Sequence, residues 1–278
     1  MSHAKTGYNA QRMTLVQDML KELRAEISSD AKILDFGCGD GELVHEFRKQ
    51  GFQAYRIDIE DFYSVVQQRC REEGLVAADE ELFYTLDMNN YRLPFADNTF
   101  DCILSFYVFE HVQNWQQALA EIQRVLKPGG ACLHIFPSKY SPLEPHIFVP
   151  FGGVMQSRAY LAIWAMLGIK NSYQKQLSRR EIITDNSRFL RSCTTYYSKA
   201  EIIQRTTPYA TNILFVEDVY IRHHFGRVRR YLYPLSRRFP LIAALFSTLY
   251  TRVLFFQKGE GSEASSTIHI PVEVSSHM

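Results

Sequence analysis

Apolar positions over the first 138 residues switch repeatedly between two periods. In 9–28, Met13, Val16, Met19, Leu20, Leu23 and Ile27 recur at helical spacing, which predicts a helix. A short apolar run follows at 32–36 (KILDF) and reads as a strand. After three closely spaced glycines, 42–51 reads as a helix closed by Gly51, a common C-terminal stop. Residues 52–59 predict a second strand, 61–74 a helix closed by Gly74, and 81–88 a third strand. Asp97 and Asn98 supply turn chemistry within 94–100. A fourth strand is expected at 101–108, a helix over 114–130 ending at Pro128-Gly129-Gly130, and a fifth strand at 131–138. Strand and helix thus alternate, which predicts a parallel sheet with helices on both faces. The strands alternate little, as expected for burial on both sides.

The regularity stops near Ser138. Residues 139–195 mix prolines, aromatics and basic residues, with one apolar helix expected at 157–169. This stretch reads as a substrate lid inserted after the fifth strand. Beyond it, 196–206 predicts a helix and 212–221 and 251–258 predict two more strands. The expected fold is α/β: a doubly wound, mostly parallel, seven-stranded Rossmann-like sheet with a lid insertion. The expected divisions are an N-terminal helix over 1–29, a cofactor-binding core over 30–138, the lid over 139–195, the end of the sheet with a basic helical segment over 196–258, and a flexible tail over 259–278.

Composition adds constraints. The 278 residues are 46% hydrophobic and 22% charged, ordinary for a globular chain. The N-terminal residues show no apolar run, so no signal peptide is expected. Five scattered cysteines without a CxxC pair point to free thiols and a cytoplasmic setting. The net charge of +1 hides a split. Residues 1–138 carry 13 Lys/Arg against 21 Asp/Glu, a net of −8, and residues 139–278 carry a net of +9. The second half is therefore expected to meet something anionic.

The candidate chemistry begins at Ile33–Leu43 (ILDFGCGDGEL). Glycines let a backbone turn tightly and approach a ligand without Cβ collisions. In a doubly wound sheet, ligands bind at the carboxyl ends of the strands. Asp58 ends the second expected strand, where a carboxylate can accept hydrogen bonds from ribose hydroxyls, and Asp87 ends the third. A dinucleotide site uses a Gly-x-Gly-x-x-Gly spacing, and here Gly41 comes one residue too early. Asp40 and Glu42 would also repel a pyrophosphate at the helix start. With Asp35, they suit a ligand bearing a cation.

These stretches, with RIDIE (56–60), LDMNNYRLPFADNTFDCILSFYVFEHV (86–112) and ALAEIQRVLKPGGACLHIFPS (118–138), resemble the class I S-adenosylmethionine-dependent methyltransferases. The likeness is dense over 30–138 and thinner to 258. It implies S-adenosyl-L-methionine as cofactor and S-adenosyl-L-homocysteine as product. It places Gly37, Cys38, Gly39 and Gly41 under the methionine part and ribose, and Asp35 near the amino group. Asp58 falls on the ribose-binding acid, Ile59 on the apolar residue against adenine, and Asp87 and Met88 on the adenine-edge pair. Ser105 and Phe106 fall on the lining of the reacting centre.

The acceptor is less determined. His111, close behind the fourth strand, and His146, in the loop after the fifth, are the candidate catalytic bases. EPH at 144–146 resembles methyltransferases acting on saccharides and related glycoconjugates. Glu144 and His146 are too few donors for a metal site, so no metal is expected. Residues 179–238 carry a net of +7. One reading packs this region on the sheet. The sharper one sets 222–256 on an anionic membrane surface or a phosphate-bearing substrate. Residues 240–256 are too short and interrupted for a transmembrane helix, and no base-stacking module suggests nucleic acid. The expected function is O-methylation of a sugar, glycoconjugate or lipid-linked precursor by a cytoplasmic, membrane-peripheral enzyme. The alternatives are a quinone or natural-product O-/N-methyltransferase, a non-catalytic S-adenosylmethionine-binding subunit, and a nicotinamide dehydrogenase.

Overall fold

The computed structural model describes residues 2–37, 39–59, 64–87 and 91–259. Seven strands form one sheet: β1 Lys32–Phe36, β2 Gln53–Asp58, β3 Phe83–Thr85, β4 Phe100–Phe106, β5 Leu126–Pro137, β6 Thr211–Phe215 and β7 Thr251–Gln257. Their order is β3-β2-β1-β4-β5-β7-β6, with β7 antiparallel to both neighbours and the other pairs parallel. The strand order reverses between β1 and β4, so the loops after these strands flank the crevice where doubly wound sheets bind ligands.

Alternate residues of each central strand enter opposite cores. Ile33, Cys102, Leu104, Leu133 and Phe255 pack on one face. Leu34, Phe36, Ile103, Cys132 and Leu254 pack on the other. Period-two side-chain alternation sends neighbours to opposite faces, so strands covered on both sides read as continuous apolar runs. Helix α1 (Ser2–Glu22) and α2 (Glu42–Lys49) cover the first face. Helix α3 (Ser64–Glu72) follows β2, α4 (Trp115–Val125) covers the second face, and the side chain of Asn114 caps α4 by accepting from the Gln117 N–H.

Residues 139–195 lie between β5 and α7 (Lys199–Thr206) and hold helices α5 (Arg158–Met166) and α6 (Arg179–Ser192). These pack on each other around their own small core of Ile147, Val149, Leu161 and Leu190. Helix α6 was not among the expected elements. Its start is a capping box, Ser178 with Glu181, and that pattern is legible in the sequence. Three other expectations need correction. Helix α1 ends at Glu22 rather than near 28, and Arg24 takes a left-handed φ of 56°. Helix α4 ends at Val125 because Leu126 pairs with Phe100 and starts β5. The strand expected over 212–221 stops at Phe215, and Glu217–His223 is helix α8. Acids at 217 and 218 suit a helix N-terminus, and the short apolar run VYI fits helix as well as strand.

In the basic segment, a π-helical turn (Val228–Leu232) leads into α9 (Tyr233–Arg238) and α10 (Pro240–Leu249). Among the described residues, no helix is long and apolar enough to cross a membrane. Cys70, Cys102 and Cys132 are buried free thiols, and Cys193 is an exposed one.

Candidate active site

At the carboxyl ends of β1, β2 and β4 lies a cavity of about 410 Å³, within the usual range for small-molecule sites. Gly37, Gly39, Asp58, Ile59, Leu86, Tyr107 and His111 are in its wall. The three glycines serve different ends. All have φ near +70 to +80°: Gly37 73°, Gly39 69° and Gly41 79°. A Cβ at Gly37 would lie 2.5 Å from Val108, and one at Gly41 would lie 2.3 Å from the Phe83 ring. Those two glycines close the loop against its own protein. At Gly39 a Cβ would meet nothing within 4 Å, so only there does the backbone face open space.

Asp35 lies beneath this loop in β1. Its side chain is 1% exposed, and neither carboxylate oxygen has a hydrogen-bond partner among the described residues. Burial pushes its pKa up to about 7, against the pull of Arg12 and Arg56. Arg12 comes from α1 and stacks over the Phe106 ring at 4.0 Å, so the N-terminal helix takes part in the electrostatics of the loop. Asp58 is held at its strand end by the Arg56 guanidinium at 2.6 Å and by the Ile59 N–H at 2.7 Å.

Tyr107 stands in a left-handed conformation, φ 59°, directly after β4. Such strain in a non-glycine residue is tolerated where the surroundings fix it, commonly at functional sites. Tyr107 also borders a second cavity of about 300 Å³, whose wall includes Glu110, Ser141, His146 and Tyr250. The two cavities therefore share a wall residue.

His146 is built into this second cavity. Glu144, 1% exposed, accepts at Oε1 from the Tyr196 hydroxyl at 2.6 Å and meets His146 Nδ1 at 2.7 Å. Its Oε2 accepts from the backbone N–H of His146 and of Ile147. Burial works against the charged imidazole, but the Glu144 hydrogen bond and carboxylate outweigh it and raise the His146 pKa. His111 differs. Its Nδ1 meets the Cys193 carbonyl at 2.7 Å, and burial lowers its pKa. The two imidazole rings stand edge to face, 4.8 Å apart. Glu110 is 1% exposed, and burial pushes its pKa up to about 7.

Of the residues singled out in the sequence, Gly37, Gly39, Asp58, Ile59 and His111 line the first cavity, with Asp35 buried below it. Ser105 and Phe106 do not line it. The Ser105 hydroxyl is spent on His134 Nδ1 at 2.8 Å in the core, and Phe106 is buried under Arg12. Tyr107 and Val108, one and two residues on, line it instead. Leu86 lines it where Asp87 was expected, while Asp87 is exposed and its carbonyl accepts from Tyr91 N–H. Cys38 and Met88 fall outside the described residues. Glu110, Tyr107 and Tyr196 were missed by the sequence reading. The first two stand one and four residues from His111 in a motif already noticed, whereas Tyr196 is brought in only by folding. His223 lies elsewhere and bonds Glu22 at 2.6 Å.

Residues 34–134 match the family described as a methyltransferase domain. Over these residues the match supports the resemblance to the S-adenosylmethionine-dependent methyltransferases. The ubiquinone/menaquinone C-methyltransferase UbiE of Hahella chejuensis is 30% identical over 122 residues, 44% of this chain and 48% of that protein. An uncharacterised methyltransferase of Schizosaccharomyces pombe, C1B3.06c, is 36% identical over 107 residues, 36% of this chain and 37% of that one. The sterol 4-C-methyltransferase strm-1 of Caenorhabditis elegans is 31% identical over 117 residues, 38% and 31%. The chain covers less than half of each of these relatives. Among solved structures, the YcgJ protein of Bacillus aligns over 88% of this chain and 99% of that one, at 17% identity and a TM-score of 0.48.

The sequence resemblance implies S-adenosylmethionine as cofactor, and the residues present fit that group. The unpartnered carboxylate of Asp35 suits a cationic amino group, Gly39 leaves open space at the loop, and Asp58 offers acceptors at the cavity wall.

Proposed function

We propose that this chain is an S-adenosylmethionine-dependent methyltransferase that methylates an oxygen of an acceptor held in the second cavity, at Tyr107, Glu110, Ser141, His146 and Tyr250. The observation that carries this reading is the shared wall. Tyr107 borders both cavities, and the imidazole of His146 lines the second. The cofactor supplies an electrophilic methyl on a sulfonium. The chain's own work is positioning, which can be worth about 7–11 kcal/mol of barrier, and proton removal.

Glu144 fixes the His146 ring by Nδ1, which leaves Nε2 as the nitrogen that can take an acceptor proton. The aspartate–histidine logic of other active sites works in the same way: the carboxylate sets the tautomer and steadies the imidazolium. A hydroxyl acceptor needs such a base. The second cavity is polar at Glu110, Ser141 and His146 and aromatic at Tyr107 and Tyr250, which suits a sugar ring or a glycosylated lipid precursor.

The α9–α10 region supports a lipid-linked acceptor. Leu235, Phe239, Leu241 and Leu245 are exposed beside Arg229, Arg230, Arg237 and Arg238, and no residue of α9 or α10 is buried. Apolar side chains flanked by arginines are the makeup of a surface that rests on anionic lipid. A second reading, methylation of a quinone-type ring, is favoured by the likeness to UbiE.

Two measurements test the function. S-adenosylhomocysteine should raise the melting temperature of the full chain, and extracts of glycans and lipids incubated with it and labelled S-adenosylmethionine should gain labelled methyl groups. Stabilisation by NAD instead would overturn the reading. Stabilisation by S-adenosylhomocysteine with no labelled product would favour a non-catalytic binding subunit. Label confined to quinones would favour the second reading.

A further inference from the structure

We propose that Glu110, His111 and His146 bind one divalent transition-metal ion of the zinc class at the junction of the two cavities. One potential ligand atom from each lies within 4.8 Å of the others. Bonds of about 2.1 Å to zinc require the three side chains to close further on the ion.

Proximity alone would not make this a site. The independent observation is Glu110. Its carboxylate is 1% exposed, and neither oxygen has a hydrogen-bond partner among the described residues. A buried carboxylate left unpaired is costly and calls for a proton or a cation. The cation available here is one that two histidines would also hold.

The histidines are arranged for that role. Metal-ligating histidines generally give their other ring nitrogen to a carboxylate or a backbone carbonyl, which fixes the tautomer. His146 Nδ1 is held by Glu144 and His111 Nδ1 by the Cys193 carbonyl, each at 2.7 Å. Each ring then presents Nε2 as its unprotonated donor. Glu144 is not itself a ligand, because both its oxygens are already engaged, by Tyr196, His146 and Ile147. The pair weighed in the sequence, Glu144 with His146, thus resolves into one ligand and its support.

The frame around the cluster is tied across two chain segments. Glu110 and His111 sit in the turn after β4, and His146 sits in 139–195. The Thr195 N–H donates to the Glu110 carbonyl at 2.6 Å, which pins the segments together. Two histidines and one glutamate leave a zinc ion with an open position. Glu110 and His146 line the second cavity and His111 the first, so the open position falls between them. With the ion bound, His146 would serve as a ligand in place of a base, and the metal would instead make an acceptor hydroxyl easier to deprotonate. That role rests on the reading of the second cavity as the acceptor site, whereas the binding of metal does not.

The test uses the full chain, stripped with a chelator and then titrated with Zn²⁺ by calorimetry, with bound metal counted by elemental mass spectrometry after desalting. One equivalent should be retained. Glu110→Gln and His111→Ala should each weaken Zn²⁺ binding at least about 10-fold, judged against the smaller effects of supporting residues, with unchanged circular dichroism. His223→Ala, at a half-buried histidine away from both cavities, should not. Absence of a retained equivalent, or loss of it in His223→Ala but not in Glu110→Gln, overturns the proposal. Thermal stabilisation by S-adenosylhomocysteine is measured on the same samples. If it persists while no metal binds, the metal site fails and the methyltransferase reading stands. If metal binds and the stabilisation is absent, the methyltransferase reading fails and the metal site stands.

Discussion

Glu144 grips His146 twice, through the ring Nδ1 at 2.7 Å and the backbone N–H at 2.8 Å. The same carboxylate takes the Tyr196 hydroxyl at 2.6 Å from 52 residues further along the chain. One buried acid therefore sets the position, tautomer and charge preference of the histidine that lines the second cavity. Its own pKa stays below the ordinary range: burial would raise it, but the hydrogen bonds from His146, Tyr196 and the backbone outweigh that.

His146→Ala should lower kcat by roughly 10²–10⁴-fold, the usual worth of a general base, and leave S-adenosylhomocysteine affinity unchanged. Tyr196→Phe keeps the ring but removes one hydrogen bond to Glu144, and should cost about 1 kcal/mol of stability with a smaller fall in kcat. Steady-state kinetics and urea melts separate the two. Wild-type kcat in His146→Ala would remove the histidine from the reaction.

Asp35 gives a pH dependence whose sign is fixed by its direction of shift. Its pKa is raised to about 7 from an ordinary 3.8, so the stability it contributes is full below 3.8 and is lost as pH rises through 7. Asp35→Asn should therefore make the ligand-free chain more stable at pH 8, by up to about 4 kcal/mol, and equal it near pH 4. Binding runs the other way. A cationic amino group needs the carboxylate ionised, so S-adenosylhomocysteine affinity should climb about tenfold per pH unit toward pH 7 and flatten above it. Calorimetry from pH 5.5 to 8.5 checks this, and a flat profile would disconnect Asp35 from the ligand.

Gly39→Ala and Gly41→Ala should fail differently. Both demand a left-handed backbone, a strain of about 1–2 kcal/mol for a residue with a Cβ. Gly41→Ala adds a collision with Phe83 at 2.3 Å and should cost a further 1–3 kcal/mol or so, as overpacking does. Gly39→Ala meets no protein atom, so its larger effect should be on cofactor affinity. Paired melts and calorimetry distinguish them.

Asp58→Ala should weaken S-adenosylhomocysteine binding by about 1–3 kcal/mol through lost hydrogen-bond partners. It should also lower stability by a similar amount, because the ion pair with buried Arg56 goes with it. Affinity equal to wild type would place the ribose elsewhere.

Arg229→Glu with Arg230→Glu should reduce binding to phosphatidylserine vesicles, at about 1 kcal/mol per lost arginine, without changing S-adenosylhomocysteine affinity. Binding to phosphatidylcholine vesicles should be weak for both proteins. Sedimentation with vesicles reads this out, and equal pelleting of the charge-reversed protein would sink the lipid surface.

The sheet was legible because its signals are local. KILDF and CILSF are apolar on consecutive positions, and a strand buried on both faces leaves that imprint whatever surrounds it. The capping box at Ser178 was equally local but went unread, and so did α6. Gly37, Gly39 and Gly41 announced a tight turn, but three glycines in one line look alike. Only tertiary placement set Val108 beside the first and Phe83 beside the third and left the middle one open. The choice between Ser105 and Tyr107 was likewise beyond the sequence, since it depends on where β4 ends and which face each side chain takes. The cluster at the second cavity required most from the fold. Glu144 joins His146 to Tyr196, the His111 and His146 rings stand 4.8 Å apart, and neither carboxylate oxygen of Glu110 has a hydrogen-bond partner among the described residues. A chain's composition fixes which donors exist. Their distances, and the burial that makes an unpartnered carboxylate consequential, come only from long-range packing.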